Sequence, residues 1–458
     1  MKKHWLLSLL AVLLVMALTF SMVACDGDKT PDAGNDNTGN TGDTGNEGDT
    51  GNEGGTGNEG GTEGDGNTEG EGGYVEPAHD FTYTLNANGT YVITGVKAGV
   101  TEPLIPKTYQ GVAITGIDAK ALAGNGITAF KLEAEEPNAS FKVTDGILYS
   151  KDGKTLLAYP GGKTATSLTV NKNVVTIADG AFAGNAVLTE LDLNKATEIG
   201  AEAFKDCAKL AAFKSSALIA KCGKDAFTGT AFYANEDNWE NGMLLLKGAS
   251  YQMSSRYLLI AADPTLSGDI TIKSTVWCIA DYAFNGNTAI TKVSASKSLY
   301  SIGAYAFAGC SAMAAFDWGT YLPDDVSASY FGEGAFKDCT SLTIFVVPVN
   351  LTTIYAHTFA GCTSMHYLVI EPNKNTIDAS ALTGTPITDV YYYALSTQTT
   401  EVDPIKSGVN ELNLTAKHEW FYDDTGKQPS NSGDQHKYWR FVDGRPTLWE
   451  KFNTSVEW

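Results

Sequence analysis

The sequence predicts a β-rich solenoid of stacked repeats, on two observations. The first is a nine-residue phrase that returns nine times: an aliphatic residue, three positions, Ala-Phe or a variant, two positions, then Cys, Asn or Thr. Its clearest copies open at Ile177 (IADGAFAGN), Ile199 (IGAEAFKDC), Ile279 (IADYAFNGN), Ile302 (IGAYAFAGC) and Ile354 (IYAHTFAGC). Ile117, Cys222, Phe331 and Ile377 open the rest, and most openers are 22 or 23 residues apart. The second observation is a Leu-rich run after each phrase. It has the form Leu-x-x-Leu-x-Leu, as in Leu188, Leu191 and Leu193 or Met365, Leu368 and Ile370. Alternation at the end of that run is the period of a short strand. A fixed period over this many copies is the mark of a solenoid, in which each unit buries its face only against its neighbours.

Taken in order, residues 1–24 read as a signal segment: Lys2, Lys3 and His4, then an apolar run from Trp5 to Phe20. A transmembrane anchor is the competing reading, and the run is short for one. Met22-Val23-Ala24-Cys25 resembles the bacterial lipobox. That resemblance makes Cys25 a lipid attachment site and the mature N-terminus, with two acyl chains giving a stable membrane anchor. Residues 25–73 come next, built beyond Cys25 from Gly, Asn, Thr, Asp and Glu with no aromatic or large aliphatic residue. Such a segment has no core to bury and is expected to be a disordered tether. Thirteen acidic residues against Lys29 place more than half of the net charge of −21 here. Its Asp-Thr-Gly-Asn-Glu-Gly units fit neither an EF-hand loop nor a nonapeptide calcium repeat.

Residues 74–395 are the predicted solenoid. Within each phrase, small residues beside Gly suit a tight turn or one helical turn on the outer side. Two openers are separated by wide gaps, 117 to 177 and 222 to 279, and each gap holds an apolar insert. VTDGILYSKDGKTLLAYP at 143–160 carries Asp152-Gly153, a hairpin turn signal, and NGMLLLKGASYQMSSRYLLIAAD spans 241–263. Both are read as strand pairs built into one solenoid. Pro323-Asp324-Asp325 marks a loop in the longer 302 to 331 interval. Residues 396–458 open without a repeat phrase from Ser396 to Ser430, and aromatics, including Trp420, Tyr438, Trp439 and Trp449, crowd into the last forty. HEWFY and KYWRFV around Asp443-Gly444 predict a β-ribbon. It either caps the last hydrophobic layer or offers an aromatic surface to carbohydrate or protein.

The repeated I-G-x-x-A-F-x-x-C phrase, together with FTYTLNANGTYVITG and LIPKTYQGVAITGI near the start, resembles the leucine-rich repeats of the BspA-like bacterial surface lipoprotein family. The resemblance runs from Phe81 to about Tyr393. It implies a leucine-rich repeat solenoid on a cell-surface lipoprotein, and adhesion to proteins of host matrix or of other cells. A structural envelope protein without a host ligand, and a carbohydrate-capture lipoprotein using the C-terminal aromatics, are the alternatives.

Catalytic chemistry finds little footing. The sequence has no G-x-S-x-G, P-loop, H-E-x-x-H or zinc-type Cys pairing. His79, His357, His366, His418 and His436 form no metal-ligand spacing. No enzyme activity, cofactor or metal is expected, and the mildly acidic repeat region offers no footprint for nucleic acid. Cys207, Cys310, Cys339 and Cys362 occupy one repeat position that elsewhere holds Asn125, Asn185, Asn287, Thr230 or Thr385. A disulfide framework would not interchange with Asn and Thr, so a buried ladder of small side chains is expected. A Cys339–Cys362 bond is compatible with the spacing but not required by it. Cys222 replaces an aliphatic opener and is expected in the core. Cys278, on the alternate face beside Ile279, is expected to be the most exposed thiol.

The residues flanking the second Leu of each strand should point away from the core. They are charged early (Glu190, Asp192, Lys214, Lys292) and apolar or aromatic late (Ile344, Val346, Tyr367, Val369, Tyr391). A contiguous apolar patch of this kind is the predicted partner-binding face. Cover by the C-terminal segment is the competing account.

Overall fold

Each opener is the last residue of a short parallel strand, so the phrase begins where the strand ends. The protein is described by a computed structural model covering residues 80–122, 126–133, 140–251, 254–318, 326–370 and 376–387. To these it adds the strand backbones 389–392, 418–422, 437–442 and 445–448. All lie in the second of the chain's two units, Tyr74–Trp458.

Two parallel ladders run through the repeats. In the first, Leu156, Ile177, Ile199 and Cys222 pair in register, then Leu259, Ile279, Ile302 and Phe331, then Ile354 and Ile377. The second ladder holds the central apolar residue of each Leu-rich run. It aligns Leu168, Leu191 and Phe213, then Ile270, Val293 and Phe316, then Phe345, Leu368 and Val390. Between the ladders the phrase is almost all tight turn, with a 3-10 turn at Ala119–Leu122 and one α turn at Ala231–Ala234. The expected β-rich leucine-rich repeat solenoid is therefore what forms, with turns rather than helices opposite the strands.

The turns themselves are stitched together. Three residues after an opener, and again at five and seven, a backbone N–H donates to a carbonyl of the next turn. Gly180, Phe182 and Gly184 donate to Ala201, Ala203 and Lys205; Tyr305, Phe307 and Gly309 donate to Glu333, Ala335 and Lys337. These bonds are 2.7–2.9 Å long. The third and seventh positions take positive φ, for example +56° at Glu202 and +58° at Asp206. That explains why the seventh position alternates between Gly and Asp, residues that tolerate the left-handed region. Gly after the opener has another cause, close backbone approach: a Cβ on Gly332 would lie 2.2 Å from Ala304 N.

The Phe of each phrase fills the centre. Phe204, Phe227, Phe307, Phe336 and Phe359 have no exposed surface. Their rings stack along the solenoid, Phe284 to Phe307 at 4.7 Å, Phe307 to Phe336 at 5.5 Å and Phe336 to Phe359 at 5.5 Å between centroids. Each such burial contributes roughly 2–3 kcal/mol that no isolated repeat could retain.

Both inserts are built into the solenoid, and each divides its core. In the first, strands Phe141–Thr144, Ile147–Ser150 and Thr155–Ala158 form an antiparallel meander, one strand more than the hairpin expected. Leu148 and Ala158 pack into an N-terminal cluster with Phe81 and Ile93, whereas Ile147, Tyr149 and Leu156 face the middle cluster. In the second, Met243–Tyr251 pairs antiparallel with Ser254–Ala262. Leu244, Leu246, Leu258 and Ile260 face the middle cluster, and Met243 and Leu259 face the late one. A strand buried on both faces reads as a continuous apolar run, which is why LLLK and YLLIAA lack alternation.

At the C-terminal end, Asp389–Tyr392 pairs parallel with His418–Tyr422, which pairs parallel with Lys437–Val442. The hairpin around 443–444 joins Lys437–Val442 to Arg445–Leu448. HEWFY thus extends the second ladder edge to edge rather than forming the ribbon's other strand. Cys25, the tether and the 323–325 loop lie outside the described residues.

Candidate functional site

The outer face of the second ladder is set by strand alternation. In the early repeats it carries cross-strand ion pairs: Lys214 with Glu190, and Lys292 with Asp317 at 2.9 Å. Each pair runs diagonally between adjacent strands, as the registers Asp192↔Lys214 and Lys292↔Ala315 require.

In the late repeats the same positions turn apolar. Ile344 and Val346 are half-buried on either side of the buried Phe345. Tyr367 is 39% exposed and stands directly opposite Ile344. Val346, Val369 and Tyr391 form the next row in register. The Trp318 indole N–H donates to Val346 O at 2.9 Å, fixing that strand from its neighbour. Val369 corrects the expectation: it is fully buried. Leu368, Val369 and Ile370 are buried in succession, so this strand is covered on both faces at its end and alternation no longer sorts inside from outside. Tyr391 has its backbone in the ladder, and its side chain lies outside the described residues. The exposed surface here is therefore Tyr367 flanked by Ile344 and Val346.

The cysteine position shows why Cys, Asn and Thr interchange. Cys207, Cys310, Cys339 and Cys362 are buried free thiols. Each donates to the carbonyl of a Phe in the preceding turn: Phe182 at 3.0 Å, Phe284 at 3.3 Å, Phe307 at 3.2 Å and Phe336 at 3.1 Å. Asn185 instead accepts from the N–H groups of Val187 and Leu188, and Thr230 donates to Phe227 O at 2.7 Å. The site needs a small side chain whose polar atom meets a nearby backbone group. Burial pushes the Cys207 and Cys310 thiols up to about 12, so neither is a nucleophile at neutral pH. Cys222 is buried as expected. Cys278 is not the exposed thiol expected of it. It is 1% exposed and donates to Ala220 O at 3.3 Å. The alternate face of its strand is also interior, because it abuts the last turn of the preceding block.

That junction was not legible as a site in the sequence. Asp281 N donates to Cys222 O at 2.8 Å and fastens the two blocks. The Asp281 carboxylate accepts from Ala304 N at 2.6 Å. Burial raises its pKa to about 6, against the pull of that N–H and of Lys221. Lys221 also lies 5.1 Å from the Tyr330 ring centroid. The signal was present in one detail. Both openers that come after an insert continue Ala-Asp (Ala178-Asp179 and Ala280-Asp281), where Gly is next at Ile199, Cys222, Ile302 and Phe331.

Among the described residues no group of three or more His, Cys, Asp or Glu side chains is placed to hold a metal, and no helix is long and apolar enough to cross a membrane.

No curated protein matches the chain at a significant level. Among solved structures, it is similar to the pneumococcal vaccine antigen PcpA at 16% identity and a TM-score of 0.25, covering 70% of this chain and 56% of that one. A leucine-rich cell surface protein from Faecalibacterium prausnitzii shows 19% identity, a TM-score of 0.30 and coverage of 70% and 94%. A leucine-rich repeat protein from Bacteroides ovatus shows 18% identity, a TM-score of 0.25 and coverage of 76% and 100%. The model of the BspA-type leucine-rich repeat region matches in six copies over residues 158–235 and 266–388, and the interval between them is the dividing hairpin. With its phrase, its two ladders and these six copies, residues 158–235 and 266–388 of this chain match BspA-type leucine-rich repeats.

Proposed function

We propose that the protein is an exported, lipid-anchored surface protein that binds proteins of host matrix or of other cells through the outer face of its late repeats. The observation that carries the reading is the change along one ladder face. Ion pairs give way to Ile344 and Val346 around an exposed tyrosine, Tyr367. Parallel strands hold these side chains at fixed spacing, so little ordering entropy opposes binding. The family match and the lipobox-like Cys25 support placement at the cell surface, with the acidic tether as spacer.

Two measurements test this. Protease shaving of intact cells should release peptides of residues 74–458. A pull-down with the chain against matrix proteins and neighbouring bacteria should recover a protein partner. Fragments appearing only after lysis would favour a structural envelope role, and capture of oligosaccharide alone would favour the C-terminal aromatics.

A further inference from the structure

A second site lies where one rung of the turn ladder is missing. In the turn that opens at Cys222, the N–H groups of Asp225, Phe227 and Gly229 occupy the donor positions three, five and seven. In every other turn opening between Ile177 and Ile354 those positions are bonded to the next turn, with Ser380 Oγ serving for His357. Here the next turn begins only at Ile279. Its Ala283 carbonyl is taken by Ala262 N at 2.8 Å. Among the described residues the three donors have no hydrogen-bond partner. Against the first two of them is a cavity of about 240 Å³, lined on one side by Asp225, Phe227 and Thr228, and on the other by Asp281 and Tyr282.

The first insert offers an internal comparison. There too a turn meets a hairpin, but the cavity is only about 10 Å³. Lys120 packs onto Gly180, where a Cβ would lie 2.5 Å from Lys120 Cγ. At the second junction the equivalent position is Tyr282 rather than Gly, and the gap stays open.

The chemistry of the walls selects among occupants. Donors two residues apart match alternate carbonyls of a peptide backbone, which is what the absent turn would have supplied. Asp225, Asp263 and Asp281 line the cavity, so an anion is repelled and a basic side chain is attracted. Stacking of a sugar is disfavoured at Tyr282. Lys224 Nζ lies 4.8 Å from its ring centroid and Tyr305 stacks on it at 5.2 Å, one from the preceding turn and one from the following. The acidic tether of this chain has the wrong charge to fill the gap. We propose that this junction binds an extended, basic peptide segment of another protein, whose backbone carbonyls take the Asp225 and Phe227 N–H groups that line the cavity. The site is separate from the Tyr367 face and does not depend on it.

The test is selection of a phage-displayed random heptapeptide library on the full chain, with a glycan array in parallel. Two variants serve as controls. Thr228→Trp fills the mouth at a position that in other turns holds Ala, Lys, Asn or Thr, and Asp225→Lys reverses one wall charge. Selected heptapeptides should carry Lys or Arg, and their affinity should fall at least about ten-fold in either variant with the melting midpoint unchanged. Amide exchange across residues 223–231 should slow when such a peptide binds. The proposal is overturned if no selected peptide loses affinity in Asp225→Lys, if the sensitive ligands are acidic peptides or glycans, or if exchange across 223–231 does not change.

Discussion

Replacing Phe307 by Ala removes the middle ring of the stacked column. Phe307 is fully buried, with Phe284 on one face at 4.7 Å and Phe336 on the other at 5.5 Å, both within 11° of parallel. Phe316 meets it edge-on at 5.4 Å. Phe→Ala in a packed core costs about 3–5 kcal/mol. Loss of three aromatic contacts, each worth roughly 0.5–1.5 kcal/mol beyond area, places this one toward the upper end of that range. The backbone constrains collapse into the hole: Phe307 N is held by Ala335 O, and Phe307 O accepts from Cys339. Urea unfolding followed by far-UV dichroism, with intrinsic tryptophan fluorescence as a second probe, gives the free-energy difference. The half-buried Leu382, in the last phrase, is the control. Leu382→Ala should cost less, about 2 kcal/mol or below, because terminal repeats fray. A Phe307→Ala protein that unfolds with the parent, or no more readily than Leu382→Ala, would refute the stacked-column account.

The same geometry sets other outcomes. The six described cysteines should not react with a thiol reagent at pH 8 until the chain is unfolded, and fast native labelling of Cys278 would contradict its burial. Gly332→Ala, with backbone 2.2 Å from the new Cβ, should destabilise by about 1–3 kcal/mol or more. Gly286→Ala meets no atom within 4 Å and should show only the strain of its φ of +74°, about 1–2 kcal/mol; equal midpoint shifts would remove the close-approach argument. Asp281 has a folded pKa of about 6, raised from 3.8 by burial, with Lys221 and Asp179 also acting on it. Its contribution is therefore full below about pH 4 and is lost as pH rises through 6. Asp281→Asn should be more stable than the parent at pH 7.5, by on the order of 2 kcal/mol. The two should converge near pH 4, and parallel melting curves across that range would exclude the assignment.

The repeat was legible because each copy makes the same contacts. An opener ends a strand, a Phe enters the column, and a small polar side chain closes the turn, so identical constraints recur at 22- or 23-residue intervals and show up as period. The Cys, Asn and Thr ladder could be read for the same reason. What the period does not report is the far side of a strand. Cys278 and Val369 both sit on alternate faces that alternation assigns to solvent, and both are buried. The extra strand Phe141–Thr144 went unread for another reason: it is a four-residue edge strand, too short for its Phe-Lys-Val-Thr alternation to stand out as a period. The open junction was missed because it is defined by an absent turn, and only the Ala-Asp after each insert marks the boundary in the sequence.

The central claim is that the late-repeat outer face holds a partner through Tyr367. The direct measurement is binding of parent and Tyr367→Ala proteins to cells and matrix proteins, with urea midpoints measured alongside. A buried aromatic anchor of this kind is worth about 2 kcal/mol or more. The account predicts a loss of at least about ten-fold in affinity with an unchanged midpoint. Binding that is unaffected, or that falls only as the protein unfolds, would contradict it.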